Sequence, residues 1–176
     1  MRIIQKLIFI LTILIAIVWF FYTLSFSSGW ALGQPLGTFF TEAQIANKIL
    51  FKWGLWAVIF STANLIMNTH SNRKFFLLNY LFILLTIGCF IGSGIKILEV
   101  VPPLKILYSE LSEGMLFFIT TFNYSEIGTN VFDFGVAFSY VLFAQAFLVT
   151  VFTIIKSINQ IKRAKIKRNK KLEASL

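Results

Sequence analysis

The sequence predicts an all-α polytopic membrane protein: four transmembrane helices in an antiparallel bundle, with an amphipathic helix in the extracytoplasmic interface between the third and the fourth. Three observations predict it. Of 176 residues, 57% are hydrophobic and only 13% are charged, and the mean hydropathy is +0.80, so the chain has more apolar surface than a soluble domain of this size can hide. Four stretches stay apolar over the roughly 20 residues that a helix needs to cross a hydrocarbon core of about 30 Å. No ten-residue alternation of the barrel-strand kind recurs, and a helix satisfies every backbone group within its own segment. One cysteine and a low charge fraction exclude a disulfide-stapled secreted domain and a disordered chain.

The first span covers residues 7–24 and closes on Trp19, Phe20, Phe21 and Tyr22. Arg2 and Lys6 ahead of it resemble the basic region of a signal peptide, but an 18-residue apolar run exceeds the usual length of such a core. An uncleaved first helix is expected. The outer segment 25–49 begins with Ser27, Ser28, Gly29, Gly33, Pro35 and Gly37, then reaches Thr41-Glu42-Ala43-Gln44, which has capping-box spacing, with Phe40 and Ile45 placed as a hydrophobic staple. Helix two is therefore expected from near Glu42 to about Asn68, with its span at 50–67. Lys52 snorkels at the outer edge.

The third span covers residues 75–95. In the outer segment 96–133, Pro102-Pro103 is expected to stop that helix and open a new one, on which Leu104, Leu107, Tyr108, Leu111 and Met115 share one face. Such a helix suits the outer interface. Residues 115–119 form an apolar run too short to span. The fourth span, 134–155, lies between Asp133 and Lys156, and completes a transmembrane domain over residues 1–160.

Residues 161–176 form a basic cytoplasmic tail with Lys162, Arg163, Lys165, Lys167, Arg168, Lys170 and Lys171. A basic helix at that face attracts anionic lipid by about 1 kcal/mol per nearby cation. An acidic protein partner is the alternative, and nothing resembling a nucleic-acid module accompanies the charges. Placing both termini on one side puts twelve of the sixteen basic residues there and six of the seven acidic residues opposite. The positive-inside rule then makes both termini cytoplasmic, in what is read as a bacterial cytoplasmic membrane. Trp30, Trp53 and Trp56 fall at the outer interface, where tryptophan concentrates.

The interiors of the four spans carry no ionisable group of the kind pumps and proton relays use. They carry hydrogen-bonding residues instead: Ser61, Thr62, Asn64 and Asn68 in the second span, Asn79 and Thr86 in the third, Ser139, Tyr140 and Gln145 in the fourth. These read first as bonds between helices, worth about 0.6 kcal/mol each on average. The alternative is a polar path or ligand cleft using Asn64, Asn68, Gln145 and Tyr140. Gly88 and Gly92 form a GxxxG, with Cys89 and Ser93 as a second pair of small residues beside it, a pattern that lets another backbone approach closely.

Glu110, Glu113, Glu126 and Asp133 form either a weak divalent-cation site or a solvated acidic rim. HExxH, GxSxG, P-loop and dinucleotide-binding patterns are absent, and the lone histidine, His70, has no cysteine or carboxylate close in sequence. No catalysis, cofactor or resident metal is therefore expected. The reading that follows is a non-catalytic membrane subunit that joins other integral membrane subunits or a second copy of itself. A small oligomeric channel or carrier is its alternative, and an intramembrane enzyme acting on lipid is a third, weaker one.

Overall fold

The computed structural model describes residues 2–30, 38–70, 77–111 and 130–173. These residues form four helices: α1 (Arg2–Trp30), α2 (Thr38–His70), α3 (Leu77–Ser109) and α4 (Asn130–Glu173). Each contains a stretch long and apolar enough to cross a membrane. Helix is forced on such segments because long uninterrupted apolar runs have nowhere but the i to i+4 ladder to satisfy their peptide groups in lipid.

The helices pack as a four-helix bundle in which α2 lies against α1 and α3, α3 also lies against α4, and α4 meets α1 over a narrower seam. Named pairs mark each seam. Gln5 meets Asn68 and Phe20 meets Phe51 between α1 and α2; Asn79 meets Asn68 and Tyr108 meets Phe39 between α2 and α3. Between α3 and α4 the pairs are Tyr80 with Ser157 and Tyr108 with Phe132. Between α1 and α4 they are Phe9 with Phe152 and Trp19 with Phe138.

The principal core mixes large aromatics with alanines: Trp19, Phe39, Phe90 and Phe132 are enclosed, and Ala16, Ala43, Ala57 and Ala146 bring the backbones close. Trp19 is wholly buried, 5.4 Å from Tyr22 and 6.3 Å from Phe138 between ring centroids. The opposite surface is equally apolar. Leu7, Leu14, Phe21, Leu77, Leu84, Phe147 and Ile154 are all exposed, as expected where lipid rather than water is the solvent.

Three expectations about helix ends change. Helix α2 begins at Thr38, ahead of the Thr41 capping box, because Phe39 and Phe40 are buried in the principal core and pull the first turn onto the bundle. Helix α3 does not stop at Pro102-Pro103 but runs through both to Ser109. Of the face that suggested an interfacial helix, Leu104 and Tyr108 are buried in the principal core, Leu107 and Leu111 pack against it partly buried, and Met115, with the apolar run 115–119, lies outside the described residues. Proline fixes φ near the helical value, so what the helix loses is hydrogen bonds at the preceding carbonyls, and this packing offsets that loss. Helix α4 continues from the fourth span to Glu173, so residues 161–173 of the tail are helical. At 44 residues it is about 66 Å long.

Candidate functional site

The densest polar chemistry lies where the N-terminal turns of α1 meet the far turns of α4. Lys156 on α4, only 8% exposed, donates to Gln5 Oε1 on α1. Gln5 Nε2 in turn donates to the Asn68 carbonyl on α2 at 3.2 Å. The Asn68 amide nitrogen donates to the Asn64 carbonyl at 2.9 Å and also to Asn64 Oδ1. From α3, Asn79 Nδ2 donates to Asn68 Oδ1 at 3.3 Å and to the Met67 carbonyl at 3.4 Å. Tyr80 and Ser157 share a 2.7 Å hydroxyl contact that ties α3 to α4, and Tyr80 donates to Gln160 at 3.5 Å. All four helices are thus joined by side chains that water barely reaches.

Two further pairs lie deeper in the bundle. Gln145 Nε2 donates to Thr12 Oγ1 at 2.8 Å, joining α4 to α1. Thr86 lies within 3.2 Å of the Phe60 carbonyl on α2 while back-bonding within α3 at 2.8 Å. Several enclosed atoms have no protein partner among the described residues: Ser61 Oγ and Asn64 Nδ2 on α2, Trp19 Nε1 on α1 and Ser93 Oγ on α3. Ser61 and Asn64, 1% and 0% exposed, are one turn apart on the same face. An unmet polar atom in such a place costs about 1–3 kcal/mol, which is the usual reason to look for a water or solute.

Asn64, Asn68 and Gln145 are therefore buried, as the polar-path expectation requires, but Asn64 and Asn68 bond to each other while Gln145 bonds elsewhere. Tyr140 does not join them; it lies on the outward face of α4 at 62% exposure. The GxxxG splits as well. A Cβ on Gly92 would run into the Trp53 ring of α2, whereas a Cβ on Gly88 would meet nothing within 4 Å. Cys89 and Ser93 are buried. The motif serves the chain's own α2–α3 seam at one glycine and leaves the other open on the surface.

Of the acidic residues, Asp133 is held by Lys105 across the α3–α4 seam at 2.6 Å and Glu110 is exposed, while Glu113 and Glu126 lie outside the described residues. Among the described residues no three His, Cys, Asp or Glu side chains gather as metal ligands. In the tail, Lys162, Arg163, Lys165 and Lys167 are exposed along helical α4. Arg168, Lys170 and Lys171 continue the same helix.

Sequence reasoning placed Lys156 at a span boundary and did not give Gln5 a role. Their pairing links residues 151 apart, and the only local signal was a glutamine interrupting an otherwise basic and apolar start. The network joins donors and acceptors from all four helices. In comparisons with family models, curated proteins and solved structures, none matched this chain.

Proposed function

We propose that the chain is a non-catalytic integral membrane subunit, an antiparallel four-helix bundle with both termini cytoplasmic, which assembles with other membrane subunits. The observation that carries this reading is Gly88. It is a small position on the outward face of α3, with open space where its side chain would be and with Leu81, Leu84, Leu85 and Ile91 exposed around it. Lipid tails are as apolar as leucine, so helix association in a membrane depends on such small positions more than on hydrophobicity. The basic end of α4 supports the cytoplasmic placement of the termini and gives the subunit a contact for anionic lipid.

The test is assembly in mild detergent. The native protein is expected to run larger than a monomer, and Gly88→Ile is expected to return it to monomer size while the monomer keeps its full helical circular-dichroism signal. A wild-type protein that runs alone, without self-association or a co-purifying subunit, overturns the proposal.

One observation favours a second reading, an oligomeric channel or carrier. Ser61 Oγ and Asn64 Nδ2 have no partner among the described residues, beside the polar network. That reading expects Asn64→Leu to abolish flux of small solutes in reconstituted vesicles, and absence of flux for cations, anions and neutral solutes removes it.

A further inference from the structure

At the end of the bundle away from Lys156, a groove of about 470 Å³ opens between α2 and α3, within the range of ligand-binding clefts. Its floor and walls are apolar: Ile45, Ala46 and Ile49 from α2, Val100, Leu104 and Leu107 from α3. Glu42 and Glu99 line it too, one from each helix. Pro103 also lines it, and here the double proline has a chemical consequence. A helical carbonyl takes its hydrogen bond from the amide four residues on, or three in a tightened turn. For Glu99 those two positions are Pro103 and Pro102, and neither has an N–H. Glu99, which lines the groove beside Glu42, therefore has a backbone carbonyl with no amide partner three or four residues on.

The charges along both helices share one order. Moving toward the middle of the bundle, α2 presents Glu42, then Lys48 and Lys52, then an uncharged run; α3, apart from Lys105 farther out, which is turned to Asp133 of α4, presents Glu99, then Lys96, then an uncharged run. Lys96 and Glu99 pair with each other, at 37% and 55% exposure, and so exposed a pair exchanges partners at little cost. Carboxylate outermost, ammonium next and hydrocarbon inside is the complement of a zwitterionic phospholipid, whose amine lies outermost, phosphate next and acyl chains inside.

We propose that this groove seats the headgroup of an aminophospholipid, with its primary ammonium between Glu42, the Glu99 carboxylate and the Glu99 carbonyl, and its phosphate toward Lys96. The three N–H donors of a primary ammonium match three acceptors. A quaternary ammonium of the same charge has none to give, and an anionic headgroup meets the carboxylates with the wrong sign. The proposal is independent of any subunit docked at Gly88, which lies on the outward face of α3 well below the groove.

The experiment reconstitutes the full chain in nanodiscs of equal parts phosphatidylethanolamine, phosphatidylcholine and phosphatidylglycerol, and weighs the lipid it retains by native mass spectrometry after release into detergent. Phosphatidylethanolamine is expected to be retained roughly fivefold over each of the other two, the ratio an exposed charge-assisted contact supplies. Glu42→Gln with Glu99→Gln is expected to erase the discrimination between the ethanolamine and choline lipids. Pro103→Ala, which returns an N–H to the Glu99 carbonyl, is expected to reduce it with every charge intact. Both glutamates are solvent-exposed, so thermal unfolding serves as the folding control. Gly88→Ile is expected to leave lipid retention unchanged, which separates this proposal from the assembly reading. Equal retention of the three lipids by the wild type overturns the proposal, as does an undiminished preference in the double glutamine variant. A disulfide between two copies carrying Ile45→Cys, in a Cys89→Ala background, overturns it by assigning the groove to a second copy.

Discussion

Replacing Asn68 by leucine tests whether the buried network is structural. The side chain donates to the Asn64 carbonyl and to Asn64 Oδ1, and accepts from Asn79. Three bonds at about 0.6 kcal/mol each amount to roughly 2 kcal/mol in a membrane setting. The change also strands the whole Asn64 carboxamide, whose Nδ2 already has no partner among the described residues at 0% exposure, adding about 1 kcal/mol at the low end of the range for an orphaned buried group. Asn79 keeps the Met67 carbonyl and Gln5 keeps the Asn68 carbonyl, so neither adds to the loss. Asn68→Leu is therefore expected to cost about 3 kcal/mol, and Asn64→Leu alone, which removes one acceptor, about 1 kcal/mol. The double variant is expected to cost about 2 kcal/mol, less than the two singles together, because it removes both partners and strands neither. Reversible unfolding in mixed micelles, followed by tryptophan fluorescence, measures all three. A double variant that costs as much as the sum, or more, refutes the argument that these amides act as a hydrogen-bonded pair.

The two glycines of α3 that face in different directions respond oppositely: Gly94→Leu, whose Cβ would lie 2.6 Å from the Phe143 ring, is expected to cost about 1–3 kcal/mol in the same unfolding assay. Gly88→Ala, with open space around it, is expected to stabilise the isolated chain by about 0.5–1 kcal/mol. The Lys105–Asp133 bridge, with side chains 40% and 58% exposed, is expected to contribute under about 1 kcal/mol, so Asp133→Asn shifts the melting temperature slightly and the shift shrinks at high salt. Topology is read by labelling in a Cys89→Ala background: Glu110→Cys is expected to react with an impermeant thiol reagent on intact cells, and Lys167→Cys only after permeabilisation. Reaction of Lys167→Cys from outside inverts the charge argument.

Four helices were legible in the sequence because an uncharged apolar run admits no other solution in lipid, and the burial of Asn64, Asn68 and Gln145 followed from the cost of showing an amide to lipid. Rotation about each helix axis was harder to read. In a span apolar on every side, hydrophobic periodicity no longer says which side faces inward, so Gly88 and Gly92 looked like one surface until Trp53 was found against only one of them. Some of the rotation was nonetheless open to arithmetic. Tyr140 and Gln145 are five residues apart, about 140° around a helix of 3.6 residues per turn, so if Gln145 faces the core Tyr140 cannot. Helix ends were least legible, since local signals set them only where tertiary packing is indifferent. The Thr41 capping box and the Pro102-Pro103 step both yielded to Phe39, Tyr108 and Phe132, which meet across three helices with ring centroids about 5.5 Å apart.

The two ends of the bundle are consequently built by different means. At one, aromatic rings from α1, α2, α3 and α4 interlock beside two directed contacts, Tyr22 donating its hydroxyl to the Val131 carbonyl at 3.1 Å and the Lys105–Asp133 bridge, and the rings themselves tolerate small slides because dispersion has no direction. At the other, Gln5, Asn68, Asn79 and Lys156 join the same four helices through hydrogen bonds that fail beyond narrow limits of distance and angle. In lipid, where apolar contact between helices is nearly matched by apolar contact with acyl chains, only the second kind strongly prefers one register over its neighbours. The amide end, with more directed bonds between helices, is therefore expected to hold the register more firmly than the aromatic end, where rings fill most of the volume. It follows that Asn68→Leu should loosen the bundle at its amide end before the aromatic end, with hydrogen exchange rising first in the turns around Gln5, Asn79 and Lys156 and later around Phe39 and Tyr108. Uniform acceleration along all four helices would show that register is held by the rings instead.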